Sequence, residues 1–441
     1  MYYHFKVSKN KPGTIIAIKS GHTTISIGDQ PLTKDIVVKL MKFIFKTAAD
    51  SSNTIELLGV LTEVQIRAFY YYNYKHISYK QKKNTQTPRT FKLDLSKVSK
   101  EVSKEVSGDH LEDLLEENKI IMEFLNTTRD VIDMPPDVIY PQSLINYIVQ
   151  FSSKNNIKVL DLYDEKRLKK EGLNGILDVG KGSHNQPRMA ILEYNGTRDT
   201  TTKPVVLVGK GVTYDSGGYS IKSSGHMKNM KHDKTGVVII LGVLGAISKL
   251  KLNCRVIAIL PIAENMISDK SYKPDEIVKS HSGLSVEIFN TDAEGRLLLM
   301  DGISMAYKYN PKAIIDVATL TGVGIFCGKF GAIFGNHMEL AWTLQQIGAN
   351  QGDPFWVMPP LDEFIEDTRN SSMANVKNEG YSCSSMTMMA AAFLQNFAHK
   401  DVPWIHIDLG DSKNLYEKYD SNNTAKSNSF LTLLHFFKSI S

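Results

Sequence analysis

The run L-S-V-E-I-F-N-T-D-A-E-G-R-L-L-L-M-D-G-I-S-M-A, residues 284–306, changes character twice. Its first six residues alternate apolar and polar positions as a strand does, and the residues after Arg296 repeat apolar positions at helical spacing. Between them lies a polar junction with two acids and an arginine, each two residues apart. The same alternation recurs around it: K-P-V-V-L-V-G-K-G, G-V-V-I-I-L-G-V-L-G-A-I-S-K-L, C-R-V-I-A-I-L-P-I-A and K-A-I-I-D-V-A-T-L. Strand-like and helix-like runs in turn predict an α/β fold with a mostly parallel central sheet covered by helices. Ligands bind such sheets outside the carboxyl ends of the strands. Three of the runs pass there into polar segments: V-G-K-G-V-T-Y-D-S-G-G, N-T-D-A-E-G-R and A-T-L-T-G.

If residues 290–296 extend the preceding strand, Asp292, Glu294 and Arg296 point to one side. Two carboxylates sharing a cleft repel unless a cation lies between them, and hard divalent metals favour oxygen ligands. Asp215, in a glycine-flanked turn, and Asp233 add two more acids. Four acids at strand ends suit two metal ions about 3.5 to 4 Å apart, as in two-metal hydrolases. A single Asp equally suits a helix cap or a turn, so the pattern is judged as a set. Lys210 and Lys222 flank Asp215 and can neutralise carboxylates, stabilise an oxyanion or bind metal as a neutral amine.

The remaining features bound the answer. The chain has 441 residues and a net charge of +5, room for two or three domains. Cys254, Cys327 and Cys383 form no C-x-x-C pair, which argues against a disulfide framework and for a reducing compartment. The N-terminus lacks the apolar core of a secretory signal, and the longest apolar run falls short of the roughly 20 residues that span a bilayer. A cytoplasmic protein without membrane contact is expected. Residues 1–100 hold 17 Lys and Arg against 6 Asp and Glu, the remainder 35 against 41. Within this basic region, Phe69 to Lys83 interleaves aromatics with lysines. That mix can bind nucleic acid, but a tyrosine-rich strand with a solvated lysine edge explains it as well. An acidic helix is expected from about Leu111 to Thr128, ending near Pro135 and Pro136. His226 and His232 lack the i, i+4 spacing of a zinc pair, G-V-G-I-F-C-G-K-F has the wrong spacing for a phosphate loop, and no G-x-S-x-G is present.

Taken in order, V-G-K-G-V-T-Y-D-S-G-G-Y-S-I-K, A-E-N-M, N-T-D-A-E-G-R-L and D-V-A-T-L-T-G resemble the leucyl aminopeptidase family of cytosolic two-metal exopeptidases. The resemblance runs from about Pro135 to W-I-H-I-D-L near residue 409 and is weak over the first hundred residues. It implies a variable basic N-terminal α/β domain over 1–107, a linking helix over 108–132 and a catalytic domain over 133–441. It further implies that Lys210, Asp215, Asp233 and Glu294 bind one metal, and Asp215, Asp292 and Glu294 the other. The ions would be Zn or Mn, with Mg or Co as options, and a hydroxide bridging them would attack the peptide bond. Lys222 would polarise the scissile carbonyl and Arg296 would hold a bicarbonate as general base. Met230, Thr319, Gly322 and Gly410 would line an apolar pocket suited to leucine. Peptides would be the substrates, and the assembly a homohexamer built as a dimer of trimers. A retired scaffold or nucleic-acid-binding protein on the same fold is the alternative. Where the family reads D-M-G-G this chain has Asp233-Lys234-Thr235-Gly236, placing a lysine next to a proposed ligand.

Overall fold

In the computed structural model the strand-like runs around residues 205–209, 255–265 and 313–318 form a parallel sheet, and the run L-S-V-E-I-F does not join it. The structure describes residues 2–5, 15–17, 24–26, 33–47, 54–57, 63–74, 76, 77, 79, 92–94 and 108–441, except 323–326, 360, 361, 381–384 and 420–424. Two units are distinguished: residues 1–126 with 415–423, and residues 127–414 with 424–441. The boundary falls inside a helix, Gly108–Asp133, which ends where Pro135 and Pro136 follow.

In the first unit β1 (Tyr2–Phe5), β4 (Thr54–Leu57) and β5 (Lys92–Asp94) form a parallel sheet, while β2 (Ile15–Ala17) and β3 (Thr24–Ser26) pair antiparallel. The aromatic-lysine stretch departs from the expected strand. Its start belongs to a helix, Glu63–Asn73. Burial runs through consecutive residues Ile66, Arg67, Ala68 and Phe69 and returns at Tyr71, which an alternating strand does not produce. Arg67 is held there by Glu63 one turn away, at 2.9 Å, and by Asn118. The rings of Phe69 and Tyr71 are therefore shielded from stacking on a base; residues 80–83 lie outside the described ones.

The second unit is built on one large sheet. Its strands are β6 (Lys158–Tyr163), β7 (Arg188–Asn195), β8 (Val205–Gly209), β9 (Gly211–Asp215) and β10 (Arg255–Asn265). With them go β13 (Ala313–Ala318), β14 (Gly331–Gly335), β15 (Phe355–Val357) and β17 (Trp404–Asp408). The centre, β17-β13-β8-β10, is parallel throughout, β9 adds to the end of β10, and antiparallel pairs flank it at β10-β7-β6 and β14-β17. Central strands buried on both faces read as unbroken apolar runs, and β8 and β13 are buried at every position.

Helices cover this sheet. Thr235–Lys249 packs on β8, β10 and β13, and buries every residue from Thr235 to Ile247, so it shows no polar stripe. Each fully buried Val, Leu or Ile contributes roughly 1.5–3 kcal/mol, which overrides the weak helix propensity of its β-branched residues. Gly295–Ala306 packs on β8, β10 and β13 and on the helix Asn174–Gly180.

The opening run needs one correction. Only Ser285–Glu287 is a strand, β12, and it lies in a separate small sheet between β11 (Ile277–Lys279) and β16 (Val376–Lys377). Residues 290–296 do not continue it in extended form. The Asn290 side chain accepts the Asp292 amide at 2.8 Å, Phe289 and Asn290 donate to the Asn378 side chain, and the helix starts at Gly295. A side chain that captures a backbone donor two residues on ends a strand.

Candidate metal centre

The parallel strands deliver their polar ends to one place. Lys210 follows β8, Asp215 closes β9, Asn265 closes β10 and Thr319 follows β13. Asp233 sits in a 3-10 turn, Met230–Lys234, just before the helix that packs on β8. The backbone ties the groups together: Lys210 donates to the Val317 carbonyl and accepts from the Val237 amide.

Lys210 is buried, its Nζ 2.7 Å from Asp233, 2.9 Å from Glu294 and 2.9 Å from the Thr319 carbonyl oxygen. Lys222 Nζ lies 2.9 Å from Asp215 and 2.5 Å from Asp292. Carboxylate oxygens of Asp215, Asp292 and Glu294 lie within 4.8 Å of one another. Asp233 stands outside that trio and joins it through Lys210. Thr319 Oγ1 donates to Asp233 at 2.8 Å, and Asn265 Nδ2 to Asp215 at 2.8 Å.

The electrostatics describe a cluster short of positive charge. Burial, together with Glu294 and Asp233, pushes the Asp215 carboxyl well above the usual range, and burial raises Asp233 to about 6. Burial and Glu294 raise Asp292. Burial also works against the charged form of Glu294, but Lys210 and Lys222 outweigh it and hold its pKa down. The same acids outweigh burial at both lysines and keep their pKa values above the ordinary range. Two ammonium groups thus face four carboxylates, and Asp233 Oδ2 is buried with no hydrogen-bond partner. Such orphaned acceptors are costly, and oxygen donors of this density suit divalent cations. The residues present fit such ions.

Gly295 explains part of the motif. A Cβ there would lie 2.4 Å from Lys210 Cε, so any larger residue would force the end of the lysine to shift from its place across the helix start. Gly217, at φ +87°, makes the turn that brings Lys222 back to the Ser216 carbonyl.

The other expected residues fall around this core. Arg296 is buried in the first helical turn and donates to the Asn378 carbonyl. Thr319 and Gly410 line a cavity that Met230 and Gly322 do not. Lys234 is completely buried. It donates to the carbonyls of Ile132 at 2.9 Å, Met134 at 3.3 Å and Lys231 at 2.5 Å. Burial lowers it to about 7, whereas three acceptors match the three hydrogens of an ammonium. His232 pairs with Asp133 and His226 with Ser223. Neither joins the acidic trio. Two positioning groups went unassigned in the sequence: Asn265, inside the quoted A-E-N-M, and Asn378, whose surroundings V-K-N-E-G carry no signal.

The pattern called "Cytosol aminopeptidase family, catalytic domain" matches residues 126–433. A probable cytosol aminopeptidase of Geobacter sulfurreducens is 37% identical over 339 residues, 76% of this chain and 66% of that protein. One of Shewanella loihica is 40% identical over 283 residues, covering 64% and 56% respectively. The chain therefore spans less than two thirds of the length of these relatives. The solved structure of the bottromycin maturation enzyme BotP in complex with Mn superimposes with a TM-score of 0.81 over 100% of this chain and 98% of that one, at 24% identity, a likeness of fold. On the match across most of its second unit, the chain belongs to the cytosol aminopeptidase family.

Proposed function

We propose that the protein is a metal-dependent aminopeptidase that releases the N-terminal residue of peptides. The observation that carries this reading is the convergence of buried Asp215, Asp233 and Glu294 and half-buried Asp292 on Lys210 and Lys222, with Asp233 Oδ2 left unpaired. Lys210, Asp215, Asp233, Asp292 and Glu294 would hold two divalent ions, Zn or Mn, with Mg or Co tolerated by the same donors. When bound, such ions polarise a carbonyl and make water acidic enough to attack it near neutral pH.

The chain's own groups do the rest. Lys222 presents an ammonium to the scissile carbonyl oxygen and stabilises the negative charge that grows there, a contribution typically worth about 2.7–4 kcal/mol. Asp233 receives the free α-amine, which confines cleavage to N-termini. As a metal ligand Lys210 would have to be a neutral amine, so metal uptake would be linked to proton release. Arg296 would hold a bicarbonate, which would supply a general base there. Thr319 and Gly410, with Met230 and Gly322, would receive the first side chain. Residues 133–441 form the catalytic domain, 108–132 its linking helix and 1–107 a variable domain. The assembly is a homohexamer in the cytoplasm; among the described residues no helix is long and apolar enough to cross a membrane.

Hydrolysis of a leucyl chromogenic amide, before and after chelation and return of Zn or Mn, tests the reading. Activity should vanish with the metal and come back with it. A chain inert with Zn, Mn and Co alike overturns it and favours the scaffold.

A further inference from the structure

Lys222 stands at the end of a turn, residues 216–222, whose two ends are drawn together. Ser216 donates through its amide and its hydroxyl to the Asn265 carbonyl, at 3.0 and 2.8 Å, and the Lys222 amide closes onto the Ser216 carbonyl at 3.0 Å. The middle of the turn is held by one residue of the N-T-D-A-E-G-R run. Thr291 Oγ1 donates to the Gly217 carbonyl at 2.6 Å and accepts the Ser220 amide at 2.7 Å, while the Thr291 amide donates to Ser220 Oγ at 3.1 Å. All three bonds cross from one loop to the other. The two loops lie so close that a Cβ on Gly218 would meet Thr291 Oγ1 at 3.0 Å.

Thr291 is itself firmly seated. It is fully buried, and its carbonyl receives Asn265 Nδ2 at 3.0 Å and the Tyr272 hydroxyl at 2.6 Å. The Lys222 ammonium, by contrast, is anchored only by the groups it pairs with, Asp215 at 2.9 Å and Asp292 at 2.5 Å. Those carboxylates are the ones that would serve the cations, and a carboxylate shared with a divalent ion attracts an ammonium less. The lysine stem is flexible, so the place of its Nζ in the loaded centre depends on where the turn holds its backbone.

We infer that Thr291 is a positioning residue that aims Lys222 at the scissile carbonyl, acting through the turn of residues 216–222 and not through the metals. The inference rests on the aminopeptidase reading and deepens it. Valine has the shape of threonine, so Thr291→Val removes the hydroxyl alone and leaves the Gly217 carbonyl and the Ser220 amide unpaired. Thr291→Ser keeps the hydroxyl.

The test uses the Zn- or Mn-loaded full chain and a leucyl aminocoumarin amide. Thr291→Val should lower kcat by about 10- to 100-fold, as a misplacement of about 1 Å does, with KM within about threefold and the metal content of the wild type. Thr291→Ser should restore most of the lost kcat. In a Lys222→Ala background Thr291→Val should change kcat by less than about twofold, because no ammonium is left to position. A wild-type kcat in Thr291→Val, a loss of metal from it, or an equal fall of kcat in both backgrounds overturns the inference. Ser220→Ala removes the third bond and serves if the valine variant fails to fold; its effect on kcat should likewise vanish without Lys222. If the wild type cleaves no amide with any metal, the aminopeptidase reading itself has failed. Hydrogen exchange then decides about the clamp: the Ser220 amide should exchange at least about tenfold faster in Thr291→Val than in the wild type, and equal rates refute it.

Discussion

Replacing Gly295 with alanine makes a sharp test of how the centre is built, because two simple expectations disagree in sign. Alanine is the better helix former by about 1 kcal/mol, and Gly295 opens a helix, so local propensity predicts a small gain. The structure predicts a loss. The new Cβ would stand 2.4 Å from Lys210 Cε and 2.6 Å from its Cδ and Nζ, where ordinary contact begins at 3.4 Å. The end of the lysine must retreat by about 1 Å, and with Nζ held at 2.7–2.9 Å by Asp233, Glu294 and the Thr319 carbonyl such a shift lengthens at least one of these contacts beyond hydrogen-bonding range. Overpacking costs about 1–3 kcal/mol, and losing a hydrogen bond to a charged group about 1.5–3 kcal/mol more. The expected destabilisation is about 3–5 kcal/mol, read by urea unfolding of the chelated protein. A double-mutant cycle assigns the cause: in a Lys210→Ala background the same substitution should cost under about 1 kcal/mol. Equal costs in both backgrounds would refute the close approach of Lys210 as the reason for glycine.

Two further perturbations probe the same centre. Asn265→Ala removes the amide that orients Asp215 and supports the Thr291 carbonyl. Calorimetry with Zn or Mn should show affinity lower by about 10- to 100-fold, and unchanged affinity would remove Asn265 from the metal site. The pH dependence has a definite sign: Asp233 lies at about 6 in the folded metal-free chain against an ordinary 3.8, so the native state binds more protons than the unfolded one between those values. Its contribution therefore falls as pH rises through that window, by about 3 kcal/mol in all. Stability of the chelated protein from pH 4 to 7.5, measured as the difference from Asp233→Asn, should decline, and a difference that grows with pH contradicts the assignment.

How much of this was legible beforehand follows from where each signal resides. The strands β8, β10 and β13 could be read because burial on both faces leaves an unbroken apolar run, a local property of the sequence. The grouping of Asp215, Asp292 and Glu294 could be expected because acids near strand ends are informative when judged as a set. The local geometry of residues 290–296 could not. Extended and turned backbones both bring Asp292 near Glu294, and the choice is made by the Asn290 side chain and by Asn378, 88 residues away. The small sheet β11-β12-β16 is likewise invisible, since strands of two or three residues carry no periodicity.

Lys234 shows why adjacency in sequence misleads. Beside Asp233 in the chain, it reads as extra positive charge on a metal ligand. In the fold the 3-10 turn gives each side chain a separate direction: Asp233 meets Lys210 and Thr319, while Lys234 meets carbonyls at the end of the helix Gly108–Asp133. Unpaired helix carbonyls carry partial negative charge and favour a cation, so the buried lysine serves that helix end as much as the site. The turn bearing Asp233 is thereby fastened from behind, by contacts to residues a hundred positions upstream that no spacing rule could anticipate.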